Sequence, residues 1–146
     1  FEGAPGGVVA NLVTDTATGE SVSPEPLTSI ERLTGSDNGA DTLTGDDGPN
    51  ELIGANGGDT ITDFASGTDK LAFDAHSFGL AVGAVDAAHF AATSAGLGGN
   101  AGFVYDAATG ALGYDADGAG AGAAVHIASL GDHHALLLRA EDAGHR

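Results

Sequence analysis

The sequence has no cysteine, no methionine and no tryptophan, and only four lysine and arginine residues against twenty-one aspartates and glutamates. Without cysteine, neither a disulfide framework nor a thiolate metal site can form. A formal net charge of −17 argues against nucleic acid or an anionic membrane as partner, since both recruit proteins through lysine and arginine. No apolar run reaches the roughly eighteen residues of a membrane span, and the amino end has no basic, hydrophobic signal region. With no methionine, position 1 is not a translation start, and the chain reads as a fragment or the processed end of something larger.

Large apolar side chains are also scarce. The hydrophobic fraction is 42%, but 28 of those residues are alanine, and leucine, isoleucine, valine and phenylalanine together number 31 of 146. That is close to the composition at which charged chains stay unfolded. The length suits one domain with a small appended lobe. Its core must be thin and its self-repulsion strong, so the chain needs outside help to fold.

What is abundant is glycine, and it is ordered. From Ser36 to Thr62 three nine-residue units follow end to end: S-D-N-G-A-D-T-L-T, G-D-D-G-P-N-E-L-I and G-A-N-G-G-D-T-I-T. The fourth place is Gly39, Gly48 and Gly57, the sixth Asp41, Asn50 and Asp59, and the eighth Leu43, Leu52 and Ile61. Six residues rich in glycine, aspartate and asparagine favour a turn, because glycine takes positive φ freely and Asx side chains tolerate left-handed backbone. The next three suit a short strand with one side chain pointing inward.

These units resemble the calcium-binding nonapeptide of RTX (haemolysin-type) proteins, G-G-x-G-x-D-x-U-x with U a large apolar residue. Two turns and two strands make a coil of eighteen residues, which stacks the first and third turns at strand spacing. Asp41 and Asp59 then face the same gap, and two carboxylates so close repel unless a cation lies between them. Calcium suits such a gap, taking six to eight hard oxygens in loose geometry, whereas magnesium demands a strict octahedron and zinc prefers nitrogen or sulfur. On the other edge, Asn50 stacks toward D-F-A-S-G-T-D, where Asp63 and Asp69 offer carboxylates with one residue inserted against the register. With asparagine in the aspartate's place, this second site is expected to be the weaker.

The resemblance extends to the tail, where G-F-V-Y-D-A-A-T-G-A-L and Y-D-A-D-G are similar to sequences that close RTX proteins. It implies a mainly β fold: a short right-handed parallel β-roll over residues 1–74, capped by a small mixed lobe with a β-meander over 75–146. It implies a calcium-binding, non-enzymatic module of a larger secreted protein. Such a module leaves the cell unfolded through a type I secretion apparatus and folds on meeting extracellular calcium, at the cell surface or beyond. Asp41, Asp59, Asp63 and Asp69 would be the carboxylate ligands, Asn50 a weaker substitute, and Gly39, Gly48 and Gly57 the turn formers that expose carbonyls. The end, E-D-A-G-H-R, departs from the family's usual acidic and apolar finish. Two other parents remain open: an extracellular metalloprotease or lipase whose catalytic domain lies upstream, or a calcium-stiffened, self-associating surface protein or adhesin.

Elsewhere the apolar runs V-V-A-N-L-V and L-T-S-I-E-R-L-T read as strands forming degenerate opening coils, with Glu25 and Glu31 as solvated carboxylates. K-L-A-F-D continues as a last strand leaving the roll. Asp86 followed by A-A-H-F-A-A-T predicts a short N-capped helix ending before Gly96, with Leu80, Val82, Val85 and Phe90 as the apolar face. The carboxyl part predicts a meander of three or four strands, including A-A-V-H-I-A-S-L and A-L-L-L-R, with Tyr105 and Tyr114 flanking its first turn. Asp115-Ala116-Asp117-Gly118 opens like an EF-hand loop, but Ala119 and His126 stand where further acidic ligands are needed, so a tight turn is expected. Six histidines form no H-E-x-x-H, and His133 and His134 read as loop; neither a G-x-S-x-G elbow nor a phosphate loop occurs.

Overall fold

The computed structural model describes residues 1, 3–20, 22, 26–65, 68–131 and 138–141, with backbone alone for Ala84 and 138–141. Glu25, His133, His134 and most of the A-L-L-L-R run lie outside the described residues. The protein is mainly β, its strands arranged in two sheets with parallel and antiparallel pairings.

The repeats set the pattern. After β1 (Val8–Asn11), β2 (Thr16–Gly19) and β3 (Arg32–Thr34), the units place β4 (Thr42–Thr44), β5 (Glu51–Ile53) and β6 (Asp59–Ile61), and β7 (Lys70–Asp74) follows. Successive strands alternate between the sheets, β4 and β6 in one and β3, β5 and β7 in the other. Pairing is parallel and two strands apart: Leu43 lies beside Ile61, and Leu52 beside Leu33 and Leu71. One sheet therefore repeats every eighteen residues and the other every nineteen, which accommodates the inserted residue read in D-F-A-S-G-T-D.

Each three-residue strand sends one aliphatic side chain inward. Leu43, Leu52 and Ile61 have no exposed surface, and Ala10, Leu33 and Leu71 continue their columns at 0%, 3% and 1%. Strands this short gain little from their own hydrogen bonds. The columns supply the adhesion, at roughly 1.5–3 kcal/mol per fully buried aliphatic side chain. Across the outer face Arg32, Glu51 and Lys70 alternate in charge in adjacent strands, with Arg32 Nε 3.0 Å from Glu51 Oε1.

The opening segment differs from two stacked coils. Val8–Asn11 does stack parallel on β4, but Thr16–Gly19, inside the polar separator, folds back as an antiparallel partner of β1. Thr16, Ala17 and Thr18 alternate exposed, buried, exposed, and the turn between the strands is closed by Asn11 Oδ1 accepting the Thr14 N–H.

Beyond Asp74 the short strands β8 (Gly83–Ala84) and β9 (Phe90–Ala91) precede β10 (Gly102–Asp106), β11 (Ala111–Asp115), β12 (Val125–Leu130) and β13 (Leu138–Glu141). The expected meander is β10–β11–β12. The fourth strand does not extend it: β13 crosses to the other sheet and pairs parallel with β7. The first sheet runs straight through, because β12 pairs parallel with β6 and sets Leu130 beside Ile61. Strand edges left open by the repeats are thereby covered, as aggregation-prone edges must be.

The helix expected after Asp86 is absent. Asp86 Oδ1 caps a turn by accepting the Ala88 N–H, and the His89 carbonyl then receives the Phe103 N–H at 2.8 Å. Phe90 and Ala91 are drawn into a strand beside β10, so pairing with an open edge overrides helical propensity. Of the proposed apolar face, Leu80, Val85 and Phe90 pack on the core, whereas Val82 is exposed. Phe73, Phe78, Phe103 and Tyr114 form the aromatic block between the repeats and the meander, with the rings of Phe73 and Phe103 stacked at 4.6 Å.

Truncating the column at Leu52→Ala is expected to cost about 2–5 kcal/mol in chemical denaturation. Val125→Ala, at an exposed side chain, should change stability by less than about 0.5 kcal/mol.

Candidate metal centre

In two of the repeat turns, and in the turn that precedes β7, an acidic or amide side chain just before or at the next strand folds back onto its own turn. Asp41 Oδ2 accepts the Ser36 N–H at 2.8 Å, Asn50 Oδ1 the Asp46 N–H at 2.7 Å, and Asp69 Oδ2 the Ala65 N–H at 2.8 Å. These three turns are closed by their own side chains, an Asx-type closure, whereas Asp59 closes no turn of its own. All four side chains in the sixth place or its equivalent are buried: Asp41 1%, Asn50 3%, Asp59 0% and Asp69 4% exposed.

The same side chains tie one winding to the next. Asp59 Oδ1 accepts the Asp41 N–H at 2.9 Å, Asp41 Oδ1 accepts the Val8 N–H at 2.7 Å, and Asp69 Oδ1 accepts the Asn50 N–H at 2.9 Å. The expected partners are therefore brought together, Asp41 with Asp59 on one edge and Asn50 with Asp69 on the other. Asp63 stands apart, half-buried and outside these hydrogen bonds.

The two carboxylates of the first edge are unequally satisfied. Asp41 receives the Ser36 hydroxyl as well as two backbone N–H groups. Asp59 receives the Asp41 N–H alone, and its buried Oδ2 has no hydrogen-bond partner. Burial pushes the Asp59 carboxyl from the ordinary 3.8 up to about 6; the Asp41 N–H opposes the rise and the Asp41 charge adds to it.

Glycine has two roles here, and one was missed in the sequence. The glycines before the turns floor the carboxylate pockets. A Cβ on Gly54 would lie 2.0 Å from Asp59 Oδ2, one on Gly35 2.1 Å from Asp41 Oδ2, and one on Gly45 2.4 Å from Asn50 Oδ1. Gly45 and Gly54 open their units, so the signal was present but was read only as turn composition. The fourth-place glycines differ among themselves. Gly57 has φ 127°, but Gly39 and Gly48 do not take positive φ. Gly39 is required by close approach, since its Cβ would lie 2.3 Å from the Gly7 nitrogen, while one on Gly57 would lie 2.3 Å from the Gly39 carbonyl oxygen.

Among the described residues no three histidine, aspartate or glutamate side chains converge on one point. A cation on this edge would draw on the Asp59 carboxylate, its neighbour Asp41 and turn carbonyls. An unpartnered, buried, ionisable oxygen over a glycine floor fits a hard divalent cation, and the all-oxygen donor set fits calcium better than zinc. Comparisons with protein-family models, curated proteins and solved structures gave no match.

The raised Asp59 pKa sets a pH dependence for the metal-free chain. The folded state prefers the neutral acid, so this contribution is complete below about pH 4 and is lost as pH rises through 6. Relative to Asp59→Asn, wild-type stability without divalent ions is expected to fall by about 2 kcal/mol between roughly pH 4 and pH 7, as measured by denaturant titration of both proteins.

Proposed function

We propose that the chain is a calcium-binding nonapeptide-repeat module of the RTX kind, its windings forming a short right-handed parallel β-roll. The observation that carries this reading is Asp59: fully buried, stacked on Asp41 eighteen residues earlier, and left with one unpartnered oxygen. A proton on Asp59 relieves the problem in acid. At neutral pH a divalent cation relieves it better, because it also offsets the neighbouring Asp41 charge.

The role follows from the energetics. A chain of net charge −17 with a column one aliphatic side chain wide per strand lies near the limit of stability. Calcium at ten times the dissociation constant adds about 1.4 kcal/mol per site, so several coupled sites decide whether the chain folds. Where calcium is scarce the chain stays unfolded and can pass a type I secretion channel. Outside the cell it folds, stabilising the larger protein to which it belongs and preventing return. None of the described helices is long and apolar enough to cross a membrane. Asp41 and Asp59 hold the stronger site and Asp69 with Asn50 the weaker, while Asp63, which stands apart from both pairs, contributes least.

Far-UV circular dichroism of the purified chain is expected to change from a disordered to a β spectrum on calcium addition and to reverse with a chelator. Asp59→Ala should weaken the calcium midpoint by about tenfold or more, and Asp63→Ala by less. An ordered spectrum indifferent to calcium and chelator defeats the reading.

A further inference from the structure

A second buried carboxylate lies outside the repeats. Asp115 ends β11 with 1% of its surface exposed. Its Oδ1 accepts the Asp117 N–H at 3.2 Å, whereas Oδ2, also buried, has no hydrogen-bond partner. The Ser94 hydroxyl and the Gly118 N–H lie close to the same carboxyl group. The Asp117 carboxyl lies within hydrogen-bonding reach of the group. A buried carboxylate oxygen left without a donor, beside a second acidic side chain, costs the free energy of an unmade hydrogen bond, which a bound cation would recover.

Backbone oxygens approach the same corner. Gly118 has φ 59°, and a Cβ placed on it would lie 2.5 Å from the Asn100 carbonyl oxygen and 2.6 Å from that of Gly98. The Ala119 N–H donates to Gly98 at 2.6 Å, pinning the 115–122 turn against the segment that follows the 3-10 helix Ser94–Leu97. The turn therefore meets a hydroxyl and carbonyls from a segment about twenty residues upstream.

We infer that Asp115, with Asp117, the Ser94 hydroxyl and the Asn100 carbonyl, forms a second divalent-cation site of the calcium class, which clamps the 115–122 turn to residues 94–100. D-A-D-G fails as an EF-hand because its remaining donors do not follow it in sequence; the fold supplies them from before it. The donors are all oxygen, which disfavours zinc, and they come from flexible turns and backbone, which disfavours the strict octahedron of magnesium. The site shares no residue with the repeat turns and stands or falls apart from them.

The chain's two tyrosines, Tyr105 and Tyr114, both lie on the β10–β11 hairpin, and there is no tryptophan. Terbium(III), a calcium surrogate, bound beside Asp115 should be sensitised through tyrosine more strongly than terbium in the repeat turns. Titration of the whole chain is expected to give tyrosine-excited terbium emission that excess calcium displaces. Asp115→Asn should weaken the terbium midpoint by about tenfold or more, Asp117→Asn by a smaller factor, and Asp59→Asn should leave it in place. If Asp115→Asn fails to fold by circular dichroism, the exposed Asp117 carries the comparison. Absence of emission from the wild type, emission indifferent to both hairpin variants, or emission abolished by Asp59→Asn alone overturns the inference. Emission that survives in a chain whose repeats prove indifferent to calcium supports this site while the repeat reading fails.

Discussion

The structure depends on a side chain doing the work of a neighbouring strand. Asp59 reaches the Asp41 N–H, Asp41 the Val8 N–H and Asp69 the Asn50 N–H, so beside the parallel strand pairing each of these contacts adds a charge-assisted hydrogen bond between windings. Such a bond requires room for the side chain against the backbone, which glycine supplies beneath Asp41, Asn50 and Asp59, whereas the T-D-F-A run before the Asp69 turn has none. Gly35, Gly45 and Gly54 meet that requirement, since a methyl group at any of them would collide with the side chain above. Glycine, acid and a single aliphatic residue are thus one device. The glycine makes room, the acid ties the windings, and the aliphatic side chain fills the narrow space between the sheets.

The device has an electrostatic consequence. Two backbone N–H groups and the Ser36 hydroxyl satisfy Asp41, whereas Asp59 keeps one buried oxygen without a hydrogen-bond partner. The raised Asp59 pKa and the affinity for a divalent cation proposed above are two answers to that same unmet oxygen. The rest of the fold is arranged to tolerate it. Leu130 extends the Leu43–Ile61 column, β13 extends the Leu52–Leu71 pairing, and the aromatic block of Phe73, Phe78, Phe103 and Tyr114 supplies the widest apolar contact of a chain otherwise poor in large side chains.

Much of this was legible in the sequence because the repeat is strict. The nine-residue period placed Leu43, Leu52 and Ile61 inside and predicted the Asp41–Asp59 pairing; on the second edge it offered both Asp63 and Asp69 to Asn50 with one residue inserted, and Asp69 takes that place. The β10–β11–β12 meander followed from apolar runs separated by Asp, Thr and Gly turns. What escaped depended on tertiary partners. Thr16–Gly19 became a strand because β1 offered an edge, and Phe90–Ala91 did so because β10 offered another; local composition pointed elsewhere in both cases. The glycine floors were invisible because a glycine needed for space reads the same as one needed for positive φ. D-A-D-G forms the turn expected of it, but the approach of Ser94 and residues 98–100 to that turn was invisible because they lie far away in sequence.

The most direct measurement is anomalous diffraction from crystals of the chain grown in calcium. The account predicts an anomalous peak within coordination distance, about 2.3–2.6 Å, of Asp59 Oδ2, with the Asp41 turn stacked above it. Strong density for the Asp59 pocket with no ion there, only a protonated acid or a water, would contradict the central claim.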